Sequence, residues 1–173
     1  MPKAYSLKPK AGKAVPSGNG LPTVSARVAA LRMLARRELS EAQIRQRLAR
    51  RGYEEADIDA AVDRLKADRA IDDARVAGAI ARNETTVKRR GRLRVAQALA
   101  RAGIARTAAR AALDATFEEV DDEALLNAAL DKRLKDRPIA DDREFQRLYR
   151  YLSAQGFESD KILARLTARK RGR

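Results

Sequence analysis

The sequence predicts an all-α fold, built as an elongated array of three tandem three-helix repeats with about nine helices. The first observation is a pattern in which a leucine is followed four residues later by glycine and then by a large apolar residue. It places Gly52, Gly103 and Gly156 at intervals of 51 and 53 residues. The second is composition, because good helix formers fill residues 25–169 and only 4% of the chain is aromatic. Such a period indicates one supersecondary unit used three times.

Each of these glycines is predicted to be the left-handed residue that follows the end of a helix. In this arrangement, the Schellman cap, the leucine occupies C3 and the apolar residue after glycine occupies C″, and these two positions contact each other. We therefore expect Gly52, Gly103 and Gly156 to be structural caps, each followed by a reversal of the chain and another helix.

Repeat 1 is predicted to span residues 25–69. The apolar face expected for its first helix consists of Val28, Leu31, Leu34 and Ala35. The second helix opens on a capping-box pattern, Ser40 followed by Gln43, and ends at Gly52. Apolar residues at helical spacing over residues 58–65 predict the third helix.

Repeat 2 is predicted to span residues 70–118 and begins with an acidic pair, Asp72 and Asp73. Paired carboxylates can serve a metal or acid–base chemistry, but their place at a helix start favours a role as structural caps. The second helix is expected to begin around residues 89–92. The third should bury the least apolar surface, because Ala109 stands where the other repeats carry isoleucine.

Repeat 3 is predicted to span residues 119–169. Its first helix should cover about residues 121–135, because Pro138 breaks the pattern that follows. Apolar residues from Phe145 onwards predict a second helix that ends at Gly156, and a last helix follows.

The two ends of the chain differ from the repeats in composition. Residues 1–24 are rich in proline, glycine, lysine and serine, which predicts a disordered basic arm, or a tail without a role. Residues 170–173 are predicted to be a frayed basic tail.

Composition also excludes several kinds of chemistry. The chain has no cysteine and no histidine, so it forms no disulfide, offers no thiolate or imidazole to a metal, and lacks the commonest general base. Carboxylate chemistry stays open, and a deep pocket that holds Asp72 and Asp73 would favour a third alternative, an enzyme. Otherwise we expect no enzymatic activity, no cofactor and no metal. No apolar stretch approaches the roughly 20 residues that span a bilayer. The expectation is therefore a cytoplasmic protein that does not enter a membrane. We also expect a monomer.

The formal net charge of +14 indicates an anionic partner, either nucleic acid or an acidic protein surface. Eight basic residues and no acidic one lie between Thr85 and Leu113, and nothing nearby in sequence is expected to relieve their repulsion. The candidate contacts in this segment are Lys88, Arg89, Arg90, Arg92, Arg94 and Arg101. A second group in repeat 1 consists of Arg47, Arg50 and Arg51. The alternative for both groups is a solvated helix face without a partner.

Three segments in register resemble the RecX family of bacterial recombination regulators: residues 71–77, the run Lys88-Arg89-Arg90-Gly91 with Leu93 following, and residues 99–104. The likeness extends over about residues 25–168. It implies tandem three-helix repeats without enzymatic activity that bind the RecA recombinase filament on single-stranded DNA. It further implies that such a protein inhibits the ATPase and strand exchange of RecA, and so limits recombination and the DNA damage response.

The alternative function is a stand-alone helical DNA-binding protein that contacts phosphates without sequence specificity. Against helix-turn-helix reading of bases, no helix rich in Asn, Gln and Arg follows the glycines; the first repeat has Glu54-Glu55 there. Weak, salt-dependent binding to single- or double-stranded DNA is still expected at this charge.

Overall fold

A computed structural model describes residues 24–135 and 137–171, and it confirms the prediction of an all-α fold with about nine helices. The described residues contain no strand. The α-helices are α1 (Ala26–Leu34), α2 (Glu41–Ala49), α3 (Glu55–Ala67), α4 (Asp73–Arg82), α5 (Arg92–Arg101), α6 (Arg106–Glu119), α7 (Asp122–Leu134), α8 (Asp142–Gln155) and α9 (Ser159–Arg171). A π-helical turn, Asn83–Val87, continues α4. The predicted arm, residues 1–24, lies outside the described residues except for Val24.

Each helix triplet buries its own hydrophobic cluster. Repeat 1 (α1–α3) is centred on Ile44, Leu48 and Val62, and repeat 3 (α7–α9) on Leu152 and Leu166. Repeat 2 (α4–α6) has a thinner core, because alanines of α6 supply much of the packing and Thr116 is the buried residue of that helix.

Helix α1 turns a different face to the core from the one that its sequence predicts. Val28 and Leu31 are each 40% exposed, so the expectation that they line the core is wrong. The buried residues are instead Ala26, Ala29, Ala30 and Met33. Alanine on this face lets α1 approach its neighbours closely, and a sequence pattern weighted towards large apolar residues misses such a face.

The predicted frayed tail is also wrong at its start. Helix α9 continues through Lys170 and Arg171, and the Lys170 ammonium lies 2.5 Å from a carboxylate oxygen of Asp142 on α8. Residues 172 and 173 lie outside the described part. Within that part, no helix has the length and apolar content that crossing a membrane requires.

The three pattern glycines have left-handed φ angles of 82°, 72° and 89°. In each case the amide of the following apolar residue donates to the leucine carbonyl, at 3.3 Å for Tyr53, 3.2 Å for Ile104 and 3.3 Å for Phe157. Each glycine amide donates to the carbonyl of the residue after the leucine at 3.0 Å. These two bonds make up the complete Schellman pattern.

The middle helices of the three repeats meet end to end. At the junction of repeats 2 and 3, the amides of Gly91 and Leu93 at the start of α5 donate to the carbonyls of Gln155 and Gly156 at the end of α8, at 3.0 and 3.1 Å. These bonds satisfy orphan donors of one helix with orphan acceptors of another. They also bring the positive end of one helix dipole to the negative end of the next.

The junction of repeats 1 and 2 joins the end of α5 to the start of α2, and here side chains make the bonds. The Ser40 hydroxyl donates to the carbonyl of Ala102 at the end of α5 and accepts from the Gln43 amide. The Glu41 amide donates to the Asp73 carboxylate at 2.9 Å, while Asp72 accepts from the Arg75 amide and caps α4. The acidic pair therefore caps two helices, one in each repeat.

Two of the three pattern glycines lie at junctions and have no room for a side chain. A Cβ on Gly156 would lie 2.3 Å from the Arg94 amide nitrogen, and one on Gly103 would lie 2.4 Å from Cβ of Ala42. A Cβ on Gly52, at the free end of α2, would meet no atom within 4 Å.

These differences predict the stabilities of three alanine variants. We expect Gly52→Ala to lower the free energy of unfolding by about 1 kcal/mol, the cost of a left-handed alanine. Gly103→Ala and Gly156→Ala should lose about 1–3 kcal/mol more, because the new methyl group overpacks a junction. Urea denaturation followed by circular dichroism measures the three losses, and equal losses would show that the junctions do not need glycine.

Candidate functional site

The face of α5 that carries Arg94, Ala98 and Arg101 lines a groove of about 460 Å³ between repeats 1 and 2. The three residues stand four and three positions apart, a spacing that places them on one side of a helix. Gln43 of α2 lines the same groove. Two of the predicted contact residues thus share one surface with a residue of the neighbouring repeat.

A buried carboxylate, Glu84, neutralises two other predicted contacts in this groove. Its oxygens lie 2.6 Å from the Lys88 ammonium and 2.5 Å from the Arg90 guanidinium. Burial opposes the ionisation of Glu84, but these two hydrogen bonds outweigh it and hold its pKa below the ordinary value. The π turn positions Glu84, since the Thr85 and Thr86 hydroxyls donate to the carbonyls of Ala81 and Arg82 at the same turn.

Asp114 relieves two more cations of the predicted basic block. It pairs with Arg92 and lies 3.6 Å from Arg110. The Arg92 guanidinium also stacks 5.5 Å from the ring centre of Phe117. The expectation that nothing nearby neutralises the block is therefore wrong. Glu84 and Asp114 lie one residue beyond the two ends of the block, and helix packing brings both carboxylates into contact with its basic side chains.

The basic residues of the block that keep their charge available are Arg89, Arg94, Arg101 and Arg106. None of them forms an ion pair with a carboxylate of the described chain. Arg94 donates to the Gln97 side chain at 3.2 Å, and Arg101 donates to the Gln97 carbonyl at 3.2 Å. Arg89 is exposed, with a left-handed φ of 52°.

The repeat 1 candidates lie at the free end of α2. Arg50 and Arg51 are exposed and Arg47 is half-buried. Burial of the Arg47 guanidinium, together with the charges of Arg37, Arg50 and Arg51, lowers the pKa of Arg47. These four arginines, named here the repeat 1 arginine cluster, form no ion pair with a described carboxylate. Nη1 of Arg47 is buried and has no hydrogen-bond partner in the described part of the chain.

Three equivalent positions of the middle helix hold two arginines without an ion pair to a described carboxylate in each of repeats 1 and 2, and one arginine, paired with Glu144, in repeat 3. Counting back nine, five and two residues from the three glycines gives Gln43, Arg47 and Arg50 on α2 and its C-cap, Arg94, Ala98 and Arg101 on α5, and Arg147, Tyr151 and Ala154 on α8. We call this set the arginine face. Gln43 lines one groove with Arg94, Ala98 and Arg101, so the face passes from α2 to α5.

Repeat 3 contributes residues that sequence reasoning missed. A pocket of about 310 Å³ beside the arginine face is lined by Arg133, Arg137, Glu144, Arg147, Leu148 and Tyr151. The Arg133 guanidinium stacks 4.3 Å from the Tyr151 ring centre. Arg147 could have been found from its register with Gly156, because it occupies the position of Arg94.

Glu144 occupies a site in repeat 3 like that of Glu84 in repeat 2. Its carboxylate accepts from Arg137 at 2.5 and 3.0 Å, from the Ala140 amide at 2.9 Å and from Arg147 at 3.1 Å. The Arg137 and Ala140 bonds outweigh burial and lower the pKa of Glu144 from 4.5 to about 2.

The acidic pair singled out in the sequence has a structural role. Asp72 and Asp73 are committed to helix capping. No group of acidic side chains within the described ranges is arranged to hold a metal ion. The fold and the surface together define an array of three-helix units that presents one basic face.

Comparison with known proteins identifies the kind of array. Two family models match, RecX first three-helix domain over residues 26–65 and RecX second three-helix domain over residues 72–113. The regulatory protein RecX of Vibrio parahaemolyticus is 32% identical, over 82% of this chain and 89% of that protein. RecX of Halorhodospira halophila is 32% identical over 86% and 91%. The chain belongs to the RecX family of non-enzymatic regulatory proteins.

Solved structures share the fold. A crystal structure of regulatory protein RecX superposes with a TM-score of 0.69 at 22% identity, over 83% of this chain and 70% of the other. RecX from Lactobacillus salivarius gives 0.68 at 19% identity, over 83% and 95%.

The lowered pKa of Glu144 predicts a pH dependence of stability. A carboxyl whose pKa is lower in the folded than in the unfolded state stabilises the fold above its unfolded pKa, and this contribution is lost as the pH falls towards the folded pKa. Stability should therefore fall between about pH 4.5 and pH 2. Glu144→Gln should flatten this part of the curve, as thermal unfolding at each pH would show. Parallel curves for the two proteins would contradict the assignment.

Proposed function

We propose that this protein binds the RecA recombinase filament through the arginine face and inhibits the ATPase and strand exchange of RecA in the cytoplasm. This inhibition would limit recombination and the DNA damage response. Membership of the RecX family supports the class of function. The observation that carries the proposal is the set of arginines, unpaired within the described chain, on α5 and at the end of α2, two helices that line one groove.

An array suits a partner that is itself a repeating polymer. Successive repeats can contact successive subunits, so that weak contacts add along the length of the surface. Arginine suits such contacts, because its planar guanidinium pairs in bidentate fashion with carboxylates and phosphates.

The structure divides the sequence-predicted contacts into two groups. Arg94, Arg101 and Arg89, with Arg47, Arg50 and Arg51, have no internal carboxylate and are the proposed contacts. Lys88, Arg90 and Arg92 already pair with Glu84 or Asp114, so we propose that they support the surface without supplying its net attraction.

Charge reversal on α5 tests the proposal. Arg94→Glu with Arg101→Glu should weaken co-sedimentation with RecA filaments at least about tenfold, because two attractive charges become repulsive. Inhibition of the RecA ATPase should need a correspondingly higher concentration. The matched control is Arg106→Glu with Arg110→Glu on α6, which makes the same change of charge in the same repeat. Equal effects of the two pairs would indicate general attraction and remove α5 from the interface.

Binding to naked DNA tests the alternative function. Residues at the start of α3, Glu55 and Asp57, would repel phosphates from the helix that follows the first glycine. We therefore expect weaker binding to naked DNA than to filaments. The logarithm of the DNA affinity should fall by about 0.9 per neutralised phosphate for each logarithmic unit of salt. DNA binding equal to filament binding would favour the stand-alone DNA-binding protein.

A further inference from the structure

Repeats 2 and 3 each place one carboxylate beside the arginine face. Glu84 and Glu144 are both 5% exposed, and each accepts from two basic side chains. In both repeats the chain itself satisfies the donors between the first and second helices.

Repeat 1 carries arginines without an ion pair to any described residue and has no carboxylate at either of these two positions. Counting back 19 residues from the repeat glycine gives Glu84 in repeat 2 but Met33 in repeat 1. Counting back 12 residues gives Glu144 in repeat 3 but Ser40 in repeat 1. Met33 packs in the hydrophobic core, and Ser40 donates to the Ala102 carbonyl, so neither offers a negative charge.

As a result, no carboxylate of the described residues neutralises the repeat 1 arginine cluster. Arg37 stands at the position of Lys88, 15 residues before the repeat glycine. Together with Arg50 and Arg51 it lies close enough to Arg47 to repel that charge. Nη1 of Arg47 is buried without a partner, and a buried unsatisfied donor is unfavourable until an acceptor reaches it.

We propose that the repeat 1 arginine cluster binds an acidic side chain of the partner protein, which fills the role that Glu84 and Glu144 fill in the other repeats. A protein carboxylate is favoured because glutamate is the group that the two related sites hold. Residues 1–23 contain no Asp or Glu, so the N-terminal segment cannot supply it. Only the identity of the partner, the RecA filament, rests on the proposed function.

The first test removes the central guanidinium. Arg47→Gln should weaken binding to RecA filaments on single-stranded DNA by about tenfold to a hundredfold, the range for a charge-assisted pair. Binding to naked single-stranded DNA should be unchanged. Arg27→Gln is the matched control, because Arg27 already pairs with Asp68 at 2.8 Å.

The second test returns a carboxylate to repeat 1. Arg37 is exposed and its charge acts on Arg47. Arg37→Glu should therefore pair with Arg47 within the chain and weaken filament binding as much as Arg47→Gln does. The double variant should lose no more than either single variant. Thermal unfolding of each variant establishes that the fold is retained.

The outcomes separate the site from the proposed function. Filament binding of Arg47→Gln equal to wild type would overturn the site. An equal loss on naked DNA would identify a phosphate site and overturn the carboxylate. A short oligoglutamate peptide, titrated by calorimetry against wild type, Arg47→Gln and Arg27→Gln, reads the site without RecA. Peptide binding that is lost only in Arg47→Gln supports the site even if wild type fails to bind filaments, a failure that would overturn the proposed function.

Discussion

The structure depends on one constraint: the residue that ends a middle helix must be small enough for the neighbouring middle helix to begin against it. Gly156 and Gly91 meet where α8 ends and α5 begins, and Gly103 meets Ala42 where α5 ends and α2 begins. The glycines terminate the helices through left-handed φ angles and, at the same two positions, leave the space that the junctions need. One residue type therefore sets both the local cap and the stacking of repeats.

The end-to-end arrangement gives the surface its order. Residues at equal distances from the repeat glycine occupy equivalent positions on the middle helices, and on α2 and α5 these positions line one groove. The chain uses this register differently in each repeat. Glu84 and Glu144 compensate the cations of repeats 2 and 3, whereas repeat 1 leaves its arginines uncompensated at the free end of α2. Net attraction is thus concentrated on α2 and on the exposed side of α5.

The sequence predicts those parts of the structure that short-range spacing determines. The Leu-to-Gly spacing predicts helix ends, caps and the number of helices, since all the groups involved lie within six residues. Spacing fails to predict contacts that depend on elements distant in sequence. Ala29 and Ala30 face the core of repeat 1 in place of Val28 and Leu31, because close helix approach favours alanine. Glu84 and Asp114 neutralise a basic block from just outside it, and helix packing determines those pairs. The capping of α2 by Asp73, a residue of repeat 2, is likewise invisible before the repeats are joined.

The central claim, that the middle helices meet end to end, is tested most directly by hydrogen exchange of single amides measured by NMR. The amides of Gly91 and Leu93 belong to a first helical turn but donate across a junction. They should exchange as slowly as amides in the interior of α5. The first-turn amides of Asp142 and Arg143 on α8 make no such bond and should exchange rapidly. Rapid exchange of Gly91 and Leu93 at the rate of those two controls would contradict the account.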